Sequence, residues 1–419
     1  MKVAIHTLGC KLNQAESELL ARRFIEAGYS IANGDTADIH ILNTCSVTHI
    51  ADRKSRHLVR LWRKRNPRAL IVATGCYAER APAELERAGA RLVVGNVDKL
   101  QLLSFIEDNS LTSDRRQTVV AAVDKASRVR SFIKIQDGCN DSCSYCIVPQ
   151  LRGREQSLPA NEVINEVKNR VSDGFKEVVF TGTKIGDYDH DGMNLRELGK
   201  KVLADTKVER LHLSSLQPQD ISPEFLDMWQ DDRLCRHFHL VLQSGNDSVL
   251  RRMRRHYSLD GYRQAVSLIR NAVPDAAITT DIIVGFPGEN DTEFEDSYLF
   301  CKEMDFADIH VFSYSARPGT LAARMPGQVH DRQKKERNQR MLELAQSNTR
   351  RFRKRFLGRE IVVLWENEIE PGANIYSGLS QNYIRAYIRR SEKLTNRFLR
   401  VVPSRLYKDG LWVEAKHED

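Results

Sequence analysis

The first 330 residues alternate short apolar runs with segments of helical spacing, and that rhythm leaves few folds open. Runs rich in β-branched residues read as strands at 2–8, 38–43, 69–74 and 91–94, with room for a helix between each pair. The stretch holding Glu16, Leu19, Leu20, Phe24 and Ile25 has helical spacing and closes on Gly28. Such alternation predicts a parallel sheet wound by helices. From 127 to about 330 the rhythm returns at a longer period, with strands expected at 131–136, 177–181, 210–215, 237–243, 277–284 and 308–314. Val163, Val167 and Val171 form a helical stripe stopped by Gly174, and Ser222-Pro223-Glu224 and Asp291 mark helix starts. Six βα units predict a partial or complete (β/α) barrel, whose reactive end is where its strands finish. A polar helix is expected over 331–349. Beyond it, short runs at 361–365, 383–388, 398–402 and 411–413 between turn residues predict a small β barrel. The fold expected is therefore α/β: a doubly wound parallel sheet over 1–110, a polar linker over 111–126, a partial (β/α) barrel over 127–349, and a small β barrel over 350–417.

Charge sharpens this division. Of 419 residues, 64 are Lys or Arg and 56 Asp or Glu, a net charge of +8. The last 88 residues hold 20 basic and 11 acidic side chains, so this tail carries +9 and everything before it −1. Its densest run is Arg350, Arg351, Arg353, Lys354 and Arg355, interleaved with Phe352 and Phe356. One such run can be a plain solvated helix face, but a second basic stretch at 53–68 weakens that reading. Backbone charge with stacking aromatics suits looped or single-stranded RNA, with Arg351, Arg353, Lys354, Arg355, Tyr383 and Arg385 as candidate contacts and Phe352 and Tyr387 as further stacking candidates. No apolar run approaches the roughly 18 residues of a membrane span. The N-terminal residues lack a signal-peptide core, so a cytoplasmic protein is expected.

Six of the eight cysteines fall into two sets of three. Cys139, Cys143 and Cys146 form a C-x3-C-x2-C run just past the first barrel strand. Soft thiolates on one short loop suit an iron–sulfur cluster, and three donors for four irons leave one iron open. A structural zinc site would need a fourth ligand, for which His190 is the candidate. Cys10, Cys45 and Cys76 are 35 and 31 residues apart, but each follows a predicted parallel strand. C-terminal strand ends share one edge of a wound sheet, so these three thiols can converge on a second cluster. Cys235 and Cys301 read as core thiols, and the histidines, His6 and His40 included, suggest no cluster.

The triad spacing resembles the radical S-adenosylmethionine (SAM) superfamily. That resemblance implies an open iron that chelates SAM and an electron that cleaves it to a 5′-deoxyadenosyl radical. It also implies SAM contacts at Tyr145, beside the third cysteine, at Gly182 and at Phe286. At Thr181-Gly182-Thr183 the chain departs from the superfamily's frequent Gly-Gly-Glu. Thr7-Leu-Gly-Cys10-Lys-Leu-Asn13-Gln14-Ala-Glu-Ser17, Asn43-Thr-Cys45 and Thr74-Gly-Cys76-Tyr-Ala resemble the methylthiotransferase branch over nearly the whole chain. Gln243 and Arg255 are further SAM-contact candidates within it. Ser377 to Arg385 is loosely similar to its C-terminal TRAM domain. The branch implies two 4Fe-4S clusters, SAM consumed in two roles, tRNA as partner, an electron donor such as a flavodoxin or ferredoxin, and a monomer. Lys11-Leu-Asn and Cys76-Tyr-Ala look like the type that methylthiolates C2 of N6-threonylcarbamoyladenosine (t6A) at position 37 of tRNA. The alternatives are the types acting on isopentenyladenosine or on a ribosomal protein and, in another class, a non-catalytic iron–sulfur protein that binds RNA or senses redox state.

Overall fold

The computed structural model describes residues 1–32, 34, 37–108 and 129–414, so the expected linker over 111–126 lies outside the described residues. The N-terminal sheet comprises β1 (Lys2–Thr7), β2 (Ser30–Ile31), β3 (Ile39–Thr44), β4 (Leu70–Gly75) and β5 (Leu92–Val94). They pair in parallel in the order β2-β1-β3-β4-β5. Every residue of β3 and β4 is buried, because helices cover both faces of a parallel sheet. In this order the chain leaves β1 to one side and returns to β3 on the other. A crevice therefore opens beyond the C-terminal ends of β1 and β3.

The central barrel has β6 (Arg130–Lys134), β7 (Glu177–Thr181), β8 (Arg210–Leu213), β9 (His237–Leu240), β10 (Ala277–Val284) and β11 (Asp308–Ser313). These six follow chain order in two parallel sheets, β8-β7-β6 and, through the short strand Ser215–Leu216, β9-β10-β11. Among the described residues no pairing joins β6 to β11, so the barrel is partial, as expected. The gap is bordered by α1 (Lys11–Glu26), which packs along β6. The Glu18 carboxylate accepts from the Phe132 amide at 3.3 Å and the Ser131 hydroxyl at 3.1 Å, giving the exposed strand edge a partner.

The polar helix runs Asp331–Lys354, five residues beyond the expected end, and packs on β11 as the barrel's last helix. Beyond it β12 (Ile361–Glu368), β13 (Ile375–Ser380), β14 (Arg385–Arg389), β15 (Phe398–Tyr407) and β16 (Gly410–Glu414) close a five-stranded barrel in the order β12-β13-β14-β16-β15. The sequence reading missed β13, whose Gly378 and serines carry little strand signal. The small barrel sits against the N-terminal ends of the large barrel's strands. Arg130 pairs with Glu366 at 2.7 Å, Arg210 donates to the Leu379 carbonyl at 3.0 Å, and Asn382 donates to the Asp275 carbonyl at 3.2 Å. One end of the large barrel is thus sealed, and its reactive end stays free.

Candidate active site between two cysteine triads

Each N-terminal cysteine follows its strand: Cys10 after β1, Cys45 after β3, and Cys76 after β4 as the first residue of the helix Cys76–Arg80. The residues around them form a tight cradle. Gly9 has φ +105, and a Cβ there would lie 2.7 Å from the Cys45 Cβ. Gly75 has φ +95, and a Cβ there would lie 2.5 Å from the Thr44 carbonyl. Both positions demand glycine, for backbone angle and for room. Asn13 donates to the carbonyls of Leu8 (2.7 Å) and Thr44 (3.0 Å), tying the loop before Cys10 to the strand before Cys45. The Thr44 hydroxyl accepts from the amides of Tyr77 and Ala78, both at 3.1 Å, and so anchors the helix that Cys76 begins. Asn13 and Thr44 of the motif thus help to hold three thiols at one sheet edge.

The second triad lies on the loop past β6. The Cys146 amide donates to the Cys143 carbonyl at 3.1 Å, and the Asp141 amide donates to the Cys139 sulfur at 3.4 Å. Arg255 donates to the Cys143 sulfur at 3.2 Å and stacks over Tyr257, 4.9 Å from its ring centroid. The two triads adjoin. Cys76 packs in one apolar cluster with Ile147 and Leu151, one and five residues past Cys146, and Asn96 bridges the Cys76 sulfur (3.7 Å) and the Leu151 carbonyl (2.9 Å).

Burial pushes Cys45 and Cys146 up to about 12 and raises Cys139, and the neighbouring thiols of each triad add to the rise. A metal ligates the thiolate form, so binding a cluster here would release these protons. Among the described residues, the trio of metal-type ligand atoms within 4.8 Å of one another is His239, Asp281 and His310. His190 sits on a hairpin and lies 3.4 Å from Asp191.

Two buried ion networks, invisible to sequence reading, hold the triads together. Glu16 on α1 meets Lys99 at 2.5 Å and Arg152 at 2.9 Å. Arg152, six residues past Cys146, also bonds Asn13 (2.7 Å) and Asp137 (3.0 Å). Burial opposes the Glu16 charge, but Lys99 and Arg152 outweigh it and hold the carboxyl at about 2. On the other side, Arg317 donates to Asp52 at 2.7 Å and to the Ser46 carbonyl at 3.3 Å, next to Cys45.

The remaining expected SAM contacts divide. Tyr145 packs with Phe286, Tyr314 and Met253 beneath the triad loop, and Phe286 is fully buried in that cluster. A Cβ on Gly182 would lie 2.8 Å from the Gln136 carbonyl, so this glycine lets two strand ends approach. Gln243 has φ +68 and bridges to β10 through its backbone. Of the five, Arg255 is the one with a direct bond to a triad sulfur.

The expected RNA contacts need correction. Phe352 and Tyr387 are buried, so neither ring is available to stack on a base. Tyr383 turns into the large barrel, where its hydroxyl donates to Glu177. Arg351 pairs with Asp305, Arg353 is half-buried, and Arg385 pairs with Glu366 and Asp409; Lys354 and Arg355 stay exposed. The second basic stretch lies on the helix His49–Arg65 and fares better. Arg53, Lys54, Arg60 and Lys64 are exposed there without an ion pair among the described residues.

The histidines, set aside in the sequence reading, line the barrel interior. From Tyr383 a chain of hydrogen bonds runs to His212 (2.9 Å), His237 (2.9 Å), Thr279 (3.1 Å), His239 (3.0 Å), Asp281 (3.3 Å) and His310 (3.1 Å). The signal was legible: these residues occupy alternate, inward positions of β8 to β11. Burial lowers His212 and His237. The two histidines at Asp281 outweigh its burial and depress its carboxyl, while that hydrogen bond raises His310.

Residues 133–301 match the model of the radical SAM superfamily, and residues 2–95 match that of uncharacterized protein family UPF0004. A threonylcarbamoyladenosine tRNA methylthiotransferase MtaB of Bacillus subtilis (strain 168) is 35% identical, covering 100% of this chain and 97% of that protein. One from Aquifex aeolicus (strain VF5) is 36% identical, covering 92% and 96%. A tRNA-2-methylthio-N(6)-dimethylallyladenosine synthase of Endomicrobium trichonymphae is 35% identical over 81% and 82%. In fold, the chain is similar to the radical SAM methyltransferase TsrM of Kitasatospora setae, with a TM-score of 0.55 at 15% identity over 77% of each chain. Matches of this identity over nearly full length, joined to a SAM-type triad, place the chain in the radical SAM methylthiotransferase family.

Proposed function

We propose that this protein transfers a methylthio group to C2 of N6-threonylcarbamoyladenosine at position 37 of tRNA, forming the 2-methylthio derivative. The observation that carries the reading is the adjacency of the two triads, Cys76 packing on Ile147 just past Cys146. Cys139, Cys143 and Cys146 would hold the SAM-binding 4Fe-4S cluster, and Cys10, Cys45 and Cys76 an auxiliary one. When bound, these groups supply a carbon radical from SAM and a sulfur to be methylated and transferred, chemistry that an adenine C2–H of no useful acidity requires. The chain's own part is placement. Glu16, Arg152 and Asn13 fix the two ligand loops relative to each other, Arg255 places a positive charge on Cys143, and the small barrel seals the far end against water.

In this reading residues 1–110 carry the auxiliary cluster, 127–349 the SAM chemistry, and 350–417 form a TRAM-like RNA-binding domain. The protein works as a cytoplasmic monomer supplied by a flavodoxin- or ferredoxin-class donor. Among the described residues no helix is long and apolar enough to cross a membrane. Two names among the relatives, one for a threonylcarbamoyl and one for a dimethylallyl substrate, leave the nucleoside to be argued from this chain. The motif residues Lys11 and Tyr77 and the polar barrel interior favour the threonylcarbamoyl one. Mass spectrometry of tRNA nucleosides with and without the gene tests the assignment. Loss of 2-methylthio-t6A is expected. Loss of 2-methylthio-isopentenyladenosine, or no change, refutes it.

A further inference from the structure

The barrel interior contains several charged groups, and all but one are matched by protein. Arg130 has Glu366, Arg210 has Glu177, and Asp281 has His239 and His310. Lys11 is the exception. It directly follows Cys10, is half-buried, and places its ammonium 6.0 Å from the Tyr383 ring centroid. Among the described residues that ammonium has no hydrogen-bond or ion-pair partner. The carboxylates that act on it, Glu177 and Asp281, are already bonded by Arg210 and by His239 and His310, and a partly buried ammonium with no anion bonded to it is costly. The interior offers a ligand a polar wall, the chain from Tyr383 to His310, and little apolar surface.

We propose that Lys11 binds the carboxylate of the threonyl group on the N6 substituent and thereby selects t6A over an adenosine with an apolar N6 substituent. This rests on the t6A reading above. The position next to an auxiliary-cluster ligand is apt, because an anchor there aligns the adenine with the sulfur it receives. A charge-assisted bond of this kind is worth about ten- to a hundred-fold in binding.

The test uses the full-length enzyme with both clusters reconstituted. The substrates are anticodon stem-loop RNAs carrying t6A or its threonyl methyl ester, which keeps shape and loses the charge. Product is counted by mass spectrometry, and KM and kcat are taken separately. Wild type is expected to show a KM ten- to a hundred-fold higher for the ester than for the acid. K11M should raise KM for the acid by the same factor and for the ester less than threefold, and K11R should restore most of the loss on the acid. Equal treatment of acid and ester by wild type overturns the proposal without reference to any variant. Equal losses on both substrates in K11M also overturn it, because Lys11 would then serve the fold, a phosphate or the SAM carboxylate. If wild type makes no product from t6A RNA, the proposed function itself fails, an outcome distinct from either.

Discussion

Replacing Glu16 by Gln removes one charge from a deeply buried ion network between the N-terminal sheet and the barrel. The side chains of Glu16, Lys99 and Arg152 are 4%, 2% and 3% exposed. After the change Arg152 keeps Asp137 and Asn13, but Lys99 keeps no ion partner among the described residues. Stranding one member of a buried pair costs about 3–5 kcal/mol, and the surviving Arg152 bonds put E16Q near the lower figure. A second route agrees. Holding the carboxyl at about 2 rather than its ordinary 4.5 corresponds to about 3 kcal/mol, at 1.36 kcal/mol per tenfold. Hydrogen exchange of the holoenzyme at pH 7 should therefore show about a hundred-fold loss of protection in β1, β3 and β4. The sign with pH follows from the direction of the shift. Because the folded value lies below the unfolded one, the stabilisation is complete above about 4.5 and drains away as pH falls towards 2. Wild type loses stability on that limb, and E16Q lacks it. Protection within threefold of wild type in E16Q would refute the reasoning, as would an identical acid limb in both proteins.

Other outcomes follow from the same geometry. Cys143→Ala should abolish 5′-deoxyadenosine formation from SAM. Cys45→Ala should spare that cleavage while stopping methylthiolation, and product from the latter variant would remove the auxiliary role of the first triad. Arg255→Met withdraws a cation 3.2 Å from the Cys143 sulfur. The reduction potential of the SAM-binding cluster should fall in an EPR-monitored titration and recover in part with Arg255→Lys, since a nearby positive charge favours the reduced form. For tRNA, the logarithmic salt slope of the binding constant should be near −3 to −4 if about four phosphates are engaged. Arg53→Gln and Arg60→Gln, on the exposed face of the helix His49–Arg65, should each flatten it by about 0.7–0.9, and an unchanged slope would clear that helix of phosphate contact.

Patterns repeated along the chain were readable before any coordinates. The strand–helix rhythm gave the parallel N-terminal sheet and the six barrel strands, because hydrophobic periodicity is a local property that burial enforces at each turn. The two triads were legible for a related reason. Topology alone brings the C-terminal ends of parallel strands to one edge, so three cysteines in equivalent places converge whatever the details of packing.

Tertiary structure decided what depends on a partner distant in sequence. Charge run could not show that Phe352 and Tyr387 are core residues, or that Arg351 and Arg385 spend their charge on Asp305 and Glu366. Nor could it show that β13 would form, since a weak strand exists there only by closing a barrel. Tyr383 looked like a base-stacking residue and is a plug, held by Glu177 at a separation of 206 residues. Glu16 and Arg152, 136 residues apart, lock the two ligand loops together. A single charged letter in a sequence carries no record of whether its counter-ion is supplied. Only the fold shows that Arg130, Arg210 and Asp281 are answered within the protein and that Lys11 forms no ion pair among the described residues.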